Sequence, residues 1–110
     1  MDKMKVTAFV LQRISELRLQ KGVSEKQMSR EIGRSASYLS AMINNKSLPS
    51  LATLIEICDY LEVTLEEFFS ADYENPVRVN RLVAQARRLT DEELDMLTHL
   101  AEHMNRLKEK

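Results

Sequence analysis

The stretch SEKQMSREIGRSASYLSAMINNK, residues 24–46, decides the fold, because it contains two short helical patterns separated by a single glycine. Met28 gives the first pattern an apolar side, and Leu39 and Met42 give one to the second. Ser and Ala dominate the other side of the second pattern, although Glu and Lys are typical of a helix face in water. A face so poor in charge indicates that something other than water comes close to it.

Apolar residues recur at helical spacing on both sides of this stretch, and only two Gly and two Pro interrupt the whole chain. The sequence therefore predicts an all-α fold. Five helices are predicted before residue 70. The first covers residues 6–20, the second begins with a capping pattern of Ser24 and Gln27, and the third covers residues 35–44. The fourth begins at Ser50, and the short fifth begins with a capping pattern of Thr64 and Glu67. The helix that opens at Ser50 is expected to turn Leu51, Leu54, Ile55, Cys58 and Leu61 inward, and the short last helix contains Leu65, Phe68 and Phe69.

Two short segments are expected to have special backbone conformations. Gly33 can adopt the positive φ that begins the turn between the two patterns of residues 24–46. Asn44 and Asn45 suit the end of the second pattern, since Asn tolerates the left-handed conformation that often ends a helix.

The composition limits the class of protein. With 110 residues the chain is long enough for one domain, or a small domain with an appendage, but too short for a two-domain enzyme. A single cysteine cannot form an internal disulfide, and no run of about 18 apolar residues is present to span a membrane or to serve as a signal sequence. We therefore expect a cytoplasmic protein without a membrane partner.

The net charge of −1 hides a strong segregation along the chain. Residues 1–49 contain nine Lys and Arg against four Asp and Glu, whereas residues 50–70 contain five acidic residues and no Lys or Arg. The rest of the chain is nearly balanced. A polyanion would therefore meet the segment that contains residues 24–46.

The last third of the chain has its own pattern. The polar residues 70–76, SADYENP, end in a proline and are typical of a linker. A helix is predicted over Val77–Leu89, and a second one opens where Thr90 and Glu93 form a capping pattern. This terminal helix carries an apolar stripe of Leu94, Leu97, Ala101, Met104 and Leu107. Such a stripe needs a partner, in its own chain or in a second one.

Two short helices joined by a tight turn form a helix-turn-helix. Residues 8–70 resemble the lambda-repressor-like (Cro, XRE) helix-turn-helix family in ISELRLQKGVSEKQMSREIG, RSASYLSAMINNK and SLATLIEICDYLEVTLEEFF. The resemblance implies a five-helix DNA-binding domain over 1–70. The polar composition places a linker over 71–76, and the apolar stripe predicts a helical dimerisation segment over 77–110. The resemblance further implies a transcriptional regulator of repressor type, which binds a palindromic operator as a homodimer through the recognition helix 35–44.

The resemblance also implies which residues contact double-stranded DNA. The expected base-facing residues are Ala36, Ser37, Tyr38, Ser40 and Ala41. The expected phosphate-binding residues are Arg34, Ser35, Asn44, Asn45 and Lys46, with Ser35 contributing the amides of the helix start. None of the base-facing side chains can form the bidentate pair of Arg with guanine or Gln with adenine, so backbone contacts and DNA shape should carry a larger share of recognition.

Two of these side chains leave alternatives open. Tyr38 suits either a contact in the groove or a cover for the helical hairpin. Ile43 stands where many family members have a Glu that pairs with the residue at the place of Arg18. Arg18 is then left for a phosphate or for Glu31.

Other functions are weaker alternatives. A protein-interaction module of the same fold, such as an antitoxin or an anti-repressor with weak or no DNA binding, remains the second hypothesis. His99 to His103 match the H-x-x-E-H signature of zinc peptidases, but a helix rich in His, Glu and Leu produces this string easily. Cys58 lies between apolar residues and is expected in the core. We therefore predict no enzyme, metal or cofactor.

Overall fold

The computed structural model describes residues 2–70 and 74–109, and in these residues the chain forms seven α-helices and no strand. The predicted all-α fold is confirmed. The helices are α1 Lys3–Lys21, α2 Glu25–Glu31, α3 Tyr38–Asn44, α4 Leu51–Leu61, α5 Leu65–Phe69, α6 Pro76–Ala86 and α7 Asp91–Lys108.

Polar caps explain where several helices begin and end. Asp2 accepts a hydrogen bond from the Met4 N–H at 2.9 Å, so α1 begins before the predicted residue 6. Gly22 ends this helix in the left-handed conformation, with φ 79°. The predicted capping box of Thr64 and Glu67 is present in full at the start of α5.

The first five helices enclose one apolar core. The close pairs are α2 with α3, α1 with α4, and α4 with α5. The buried apolar side chains are Val10, Leu11, Ile14, Leu17, Met28, Leu39, Met42, Leu54, Ile57, Cys58, Leu61, Val63, Phe68 and Val77. The core therefore joins both helices of the hairpin to α1, α4 and α5, which gives residues 24–46 a rigid support.

The buried face of α4 differs from the predicted one. Leu51 and Ile55, both expected inside, are 67% and 42% exposed, and Thr53 and Ile57 are buried instead. Residues 54, 57, 58 and 61 face inward at the spacing of one helix side, so the prediction was wrong by a rotation about the helix axis.

The short helix α5 buries only one of its three large apolar side chains. Phe68 is fully buried, whereas Leu65 and Phe69 are 40% and 47% exposed. Phe9 of α1 is also exposed, and its ring stacks on that of Phe69 at 6.0 Å. A helix of five residues at the margin of the core can turn only one side inward.

The chain divides into two compact units, Met1–Asn80 and Arg81–Lys110. Pro76 and Val77 are buried, and the Asn80 side chain donates to the Glu62 carbonyl at 3.0 Å, so the first unit extends past the predicted linker. Residues 71–73 of that linker lie outside the described residues. Helix α6 begins at Pro76, which suits a first helical position, and ends at Ala86 before the predicted Leu89.

In the second unit α7 begins as predicted, with a complete capping box of Thr90 and Glu93. The hydrogen bonds from Thr90 hold the pKa of Glu93 below its ordinary value. Among the described residues, no helix is long and apolar enough to cross a membrane.

Candidate nucleic-acid interface

The angle between α2 and α3 is fixed by packing and by one buried hydroxyl. Met28 and Leu39 are almost completely buried on the facing sides of the two helices. Ser29 is fully buried; its hydroxyl donates to the Glu25 carbonyl at 2.7 Å and accepts from the Leu39 N–H at 3.1 Å. The sequence indicated Ser29 only as a small residue at a crossing, and this hydrogen bond to the first turn of α3 was missed.

Gly33 begins the turn between the two helices, with φ 81° as predicted. The recognition helix, however, begins at Tyr38 and not at Ser35. The Tyr38 N–H donates to the Ser35 carbonyl at 3.1 Å, so residues 35–37 form a turn that precedes the helix.

This late start changes the predicted role of Ser35. Its backbone was expected to belong to the first turn of α3, where amides bind phosphates. In the structure it lies before that turn, and the first-turn N–H groups of Tyr38 and Leu39 already donate to Ser35 and Ser29. The amides near Ser35 thus belong to the turn before α3 and not to its first turn, and their contact with a phosphate stays a prediction.

The end of α3 also differs from the prediction. Asn45 keeps a right-handed conformation, with φ −86°, and Lys46 adopts the left-handed one, with φ 52°. The Ser47 N–H then donates to the Met42 carbonyl at 3.0 Å, which closes the helix end. This backbone exposes Asn44, Asn45 and Lys46 at the end of α3.

The outer side of α3 is small, polar and free of charge. Ser37 and Ala41 are exposed, whereas Ala36, Tyr38 and Ser40 are half-buried. The Ser40 hydroxyl donates to the Ser37 carbonyl at 3.0 Å, and the Ser37 side chain makes no capping hydrogen bond. Of the predicted base-facing residues, Ser37 and Ala41 are thus the most accessible.

Tyr38 packs against the core while its ring also contacts a cation. The Arg34 guanidinium lies 5.2 Å from the centre of the Tyr38 ring. Arg34 also donates to the Glu56 carboxylate at 3.0 Å and to the Thr53 hydroxyl at 3.4 Å. The structure thus favours Tyr38 as the cover of the hairpin, and it holds the predicted phosphate ligand Arg34 in an ion pair with α4.

A cation from α1 lies near the predicted phosphate ligands. Lys3 and Lys46 line the same cavity of about 480 Å³, together with Met4, Thr7, Ala8 and Leu11. The N-terminal turn of α1 thus adds positive charge beside the loop that follows α3. The Lys pair at residues 3 and 5 was the signal for this in the sequence, but only the fold places it near Lys46.

Two buried or partly buried arginines have structural partners. Arg18 donates to the Val23 carbonyl at 2.8 Å, while Glu31 accepts a hydrogen bond from the Tyr60 hydroxyl, so the predicted alternative of an Arg18–Glu31 pair is wrong. Arg13 is only 7% exposed and was missed entirely.

Arg13 connects α1 to the end of α5. Its guanidinium donates to the carbonyls of Phe68 and Glu67, each at 2.8 Å, and forms an ion pair with Glu16 at 3.2 Å. Because a short helix leaves its last carbonyls without helical partners, these hydrogen bonds stabilise α5 against the core.

The structure gives little support to chemistry at Cys58 or at the His99–His103 motif. Cys58 is 3% exposed as predicted, and burial, with a smaller effect of Asp59, raises the pKa of its thiol to about 11. His99 lies 3.9 Å from the Glu102 carboxylate on an exposed face of α7. Within the described part of the chain, no group of three or more His, Cys, Asp or Glu residues could hold a metal ion.

The predicted dimerisation stripe lies on an open helix face. Leu94 and Leu97 are half-buried and Ala101 is exposed, as are Met104 and Leu107 at 49% and 55%. Leu100, which the predicted stripe omitted, is 54% exposed. None of the residues of α7, all of them described, is buried.

Comparisons with known proteins agree with this geometry. A family model described as Helix-turn-helix matches residues 14–68, which is half of the chain. No curated protein and no solved structure matches the chain. The matched residues run from the middle of α1 to the end of α5 and include the whole hairpin. The chain belongs to the Cro/C1-type (XRE) helix-turn-helix family of DNA-binding transcription regulators.

Proposed function

We propose that this regulator is a repressor that binds a palindromic operator as a homodimer, with α3 in the major groove. The observation that carries the proposal is the exposed side of α3 with its flanks. Ser37 and Ala41 are accessible there, and no Asp or Glu occurs anywhere in residues 34–47. A segment free of carboxylates can approach the two phosphate backbones that border the groove.

The small side chains let the backbone of α3 come close to the bases. Ala41 can contact a thymine methyl group, and the Ser37 hydroxyl can donate to or accept from a base edge. Neither residue forms a bidentate pair, so each base contact discriminates weakly. The sequence-dependent shape of the operator then supplies much of the specificity.

Phosphate contacts position the helix in this proposal. Asn44, Asn45 and Lys46 are exposed directly after α3, and Lys3 lines the same cavity as Lys46. Arg34 can join them when a phosphate replaces Glu56, because this ion pair is partly exposed to water. These cations thus lie around the uncharged outer side of α3.

The homodimer is proposed from the open face of α7. Leu100, Met104 and Leu107 are each about half exposed. Burying one such side chain fully contributes roughly 1.5–3 kcal/mol, so a second copy that covers this face would be held firmly. A dimer with two-fold symmetry presents two copies of α3 about 34 Å apart, one turn of the duplex.

The salt dependence of binding to random duplex DNA tests the proposal. Counterion release predicts a steep fall of the association constant with salt for the full chain. Lys46→Ala should weaken binding on all sequences and reduce the slope by about one unit. Arg88→Ala removes the same charge from an exposed position in the second unit and serves as the matched control.

Binding that does not depend on salt would contradict DNA binding and favour a protein partner. Equal effects of Lys46→Ala and Arg88→Ala would contradict the assigned phosphate contacts. Selection of bound sites from a random DNA library then tests the operator, since a two-fold dimer must select palindromic sequences.

Sedimentation of two chains tests the homodimer. The full chain should sediment as a dimer at micromolar concentration, and a chain that ends at Asn80 should remain folded and sediment as a monomer. Asn80 is the last residue of the first unit, so this truncation keeps buried Val77. A dimer of the truncated chain would show that α7 is not the dimerisation element.

One observation favours a second candidate, the protein-interaction module. Phe9 and Phe69 stack at 6.0 Å and remain 44% and 47% exposed on α1 and α5. Two partly exposed aromatic rings are typical of a surface that another protein covers. Replacing both with Ser would leave the salt slope of DNA binding unchanged and would abolish a protein contact made there.

A further inference from the structure

We propose that two copies of α7 pair antiparallel, around a two-fold axis that passes between residues 100 and 101. This inference rests on the proposed homodimer and specifies its geometry. It starts from the apolar face of α7, which consists of Leu94, Leu97, Leu100, Ala101, Met104 and Leu107.

The spacing of these six residues is symmetric about the middle of the helix. Leu94 and Leu107 lie equally far from the midpoint between residues 100 and 101, and so do Leu97 and Met104. Leu100 and Ala101 flank the midpoint itself. In an antiparallel pair, each apolar residue therefore lies level with an apolar residue of the second copy, and at the centre the two copies of the small Ala101 face each other.

The charges of α7 favour the same direction. The first turn and the next residues contain Asp91, Glu92, Glu93 and Asp95, whereas the last turn contains Arg106 and Lys108. Parallel helices would bring the two acidic ends together, and like charges repel. Antiparallel helices bring each acidic end beside a basic end and also oppose the two helix dipoles.

One pair of side chains links the symmetric spacing of α7 to its charge distribution. Glu93 and Lys108 are equally far from the same midpoint and border the apolar face. Glu93 uses one carboxylate oxygen to accept from the Thr90 N–H at 2.9 Å. Its other oxygen is available to accept from Lys108 of the second copy, which gives an ion pair at each end of the interface.

The width of the apolar face indicates what surrounds the pair. Positions three and four apart form a narrow seam, but Leu100 and Leu107 widen it on one side. Such a face is typical of a helix bundle, not of an isolated two-stranded coil. Leu82 and Val83 of α6, at 55% and 39% exposure in the same unit, can complete the bundle.

Disulfide formation between full-length chains tests the direction of the helices. The single variants Leu97→Cys, Met104→Cys and Ala101→Cys are each oxidised alone, and the first two are also mixed. The wild-type chain, whose Cys58 is buried, measures the background. A disulfide needs a Cα separation of about 4.4–6.8 Å.

The antiparallel pair predicts a distinct pattern. With a rise of 1.5 Å per residue, the two copies of residue 97 lie about 10 Å apart along the axis, as do those of residue 104. Neither variant should then form a disulfide alone, but their mixture should form the mixed dimer. Ala101→Cys should form a disulfide alone, because its two copies are nearly level.

Other outcomes separate the inference from the proposed homodimer. Disulfides of Leu97→Cys or Met104→Cys alone would show parallel helices, which overturns the inference and leaves the homodimer intact. A dimeric chain in which Ala101→Cys fails to oxidise would place the interface elsewhere. A full chain that sediments as a monomer would overturn both.

A charge reversal gives an independent readout. Lys108→Glu should raise the dissociation constant of the dimer at least threefold, because it faces Glu93 of the second copy. Arg106→Glu makes the same change two residues away, on another side of the helix, and is the matched control. Equal effects of the two variants would contradict the proposed ion pair.

Discussion

Helices α1 and α7 have nearly the same length, 19 and 18 residues, but opposite surroundings. Five residues of α1 are buried, including Leu17 and Arg13, whereas α7 has none. Both sequences have apolar residues at helical spacing, so periodicity alone does not distinguish them. The difference teaches that an amphipathic pattern predicts a helix with a partner, but not whether the partner belongs to the same chain.

The largest expected effect on stability comes from a Leu→Ala substitution, made once in α1 and once in α7. Leu17→Ala should lower the free energy of unfolding by about 2–5 kcal/mol, because it leaves a cavity in a closed core. Leu100→Ala should leave the unfolding of the first unit unchanged and weaken the dimer. Urea denaturation and sedimentation measure the two quantities.

A large effect of Leu100→Ala on the unfolding of a monomeric sample would contradict this contrast. It would mean that the apolar face of α7 packs within its own chain.

Arg13→Met should have the next largest effect. The variant leaves the Phe68 and Glu67 carbonyls without their donor, and each buried group left unpaired costs about 1–3 kcal/mol. Glu16→Gln removes only the partly exposed ion pair and should cost under about 1 kcal/mol. Similar losses for both variants in thermal denaturation would show that the ion pair, and not the carbonyl contacts, is what matters.

The capping boxes of α5 and α7 allow the same substitution to be compared in the two units, with a smaller expected effect on stability. Thr64→Ala should destabilise the first unit by about 1 kcal/mol, and Thr90→Ala should loosen the start of α7 without that effect. Thr90→Ala should also raise the pKa of Glu93 part of the way towards its ordinary value, since it removes the hydrogen bond of the Thr90 side chain but keeps the backbone N–H, which lowers the pKa more.

The sign of the pH dependence follows from this lowered pKa. The stabilisation by ionised Glu93 is complete above the pKa of the unfolded chain and is lost as pH falls through the lower pKa of the folded chain. Carboxyl NMR titration of the wild type and Thr90→Ala measures the difference. Identical Glu93 curves would contradict the capping contribution.

The smallest expected effect concerns the Arg34–Glu56 pair. Glu56→Gln should change the unfolding free energy by under about 1 kcal/mol, because both side chains are partly exposed. It should strengthen DNA binding a fewfold at low salt, since Arg34 no longer has a carboxylate partner. Glu66→Gln, an exposed acid on α5, is the matched control, and an equal gain there would indicate a general charge effect.

The sequence predicts the structural features that depend on residues close together in the chain. Gly33, the Thr64 box and the apolar sides of α2 and α3 were all found as expected. Their physical causes act over one helical turn, so they are visible in a short stretch of sequence.

The remaining features depend on contacts between distant residues. The buried side of α4 is selected by α1 and α5, and Arg13 is fixed by carbonyls more than fifty residues away. The first turn of α3 is held against α2 by the buried hydroxyl of Ser29, which accepts from the Leu39 N–H. No local pattern encodes these partners, so the detailed geometry of the candidate interface was not predictable.

The left-handed conformation of Lys46 implies a compromise between folding and binding. A side chain with φ near 52° costs about 1 kcal/mol relative to glycine, and Glu62 at the end of α4 bears the same cost at φ 60°. Laboratory evolution for heat resistance alone would therefore favour glycine at both positions. The proposed DNA contacts do not include Glu62, whereas glycine at Lys46 would remove one of the proposed phosphate contacts, so there the more stable protein is expected to bind DNA less tightly.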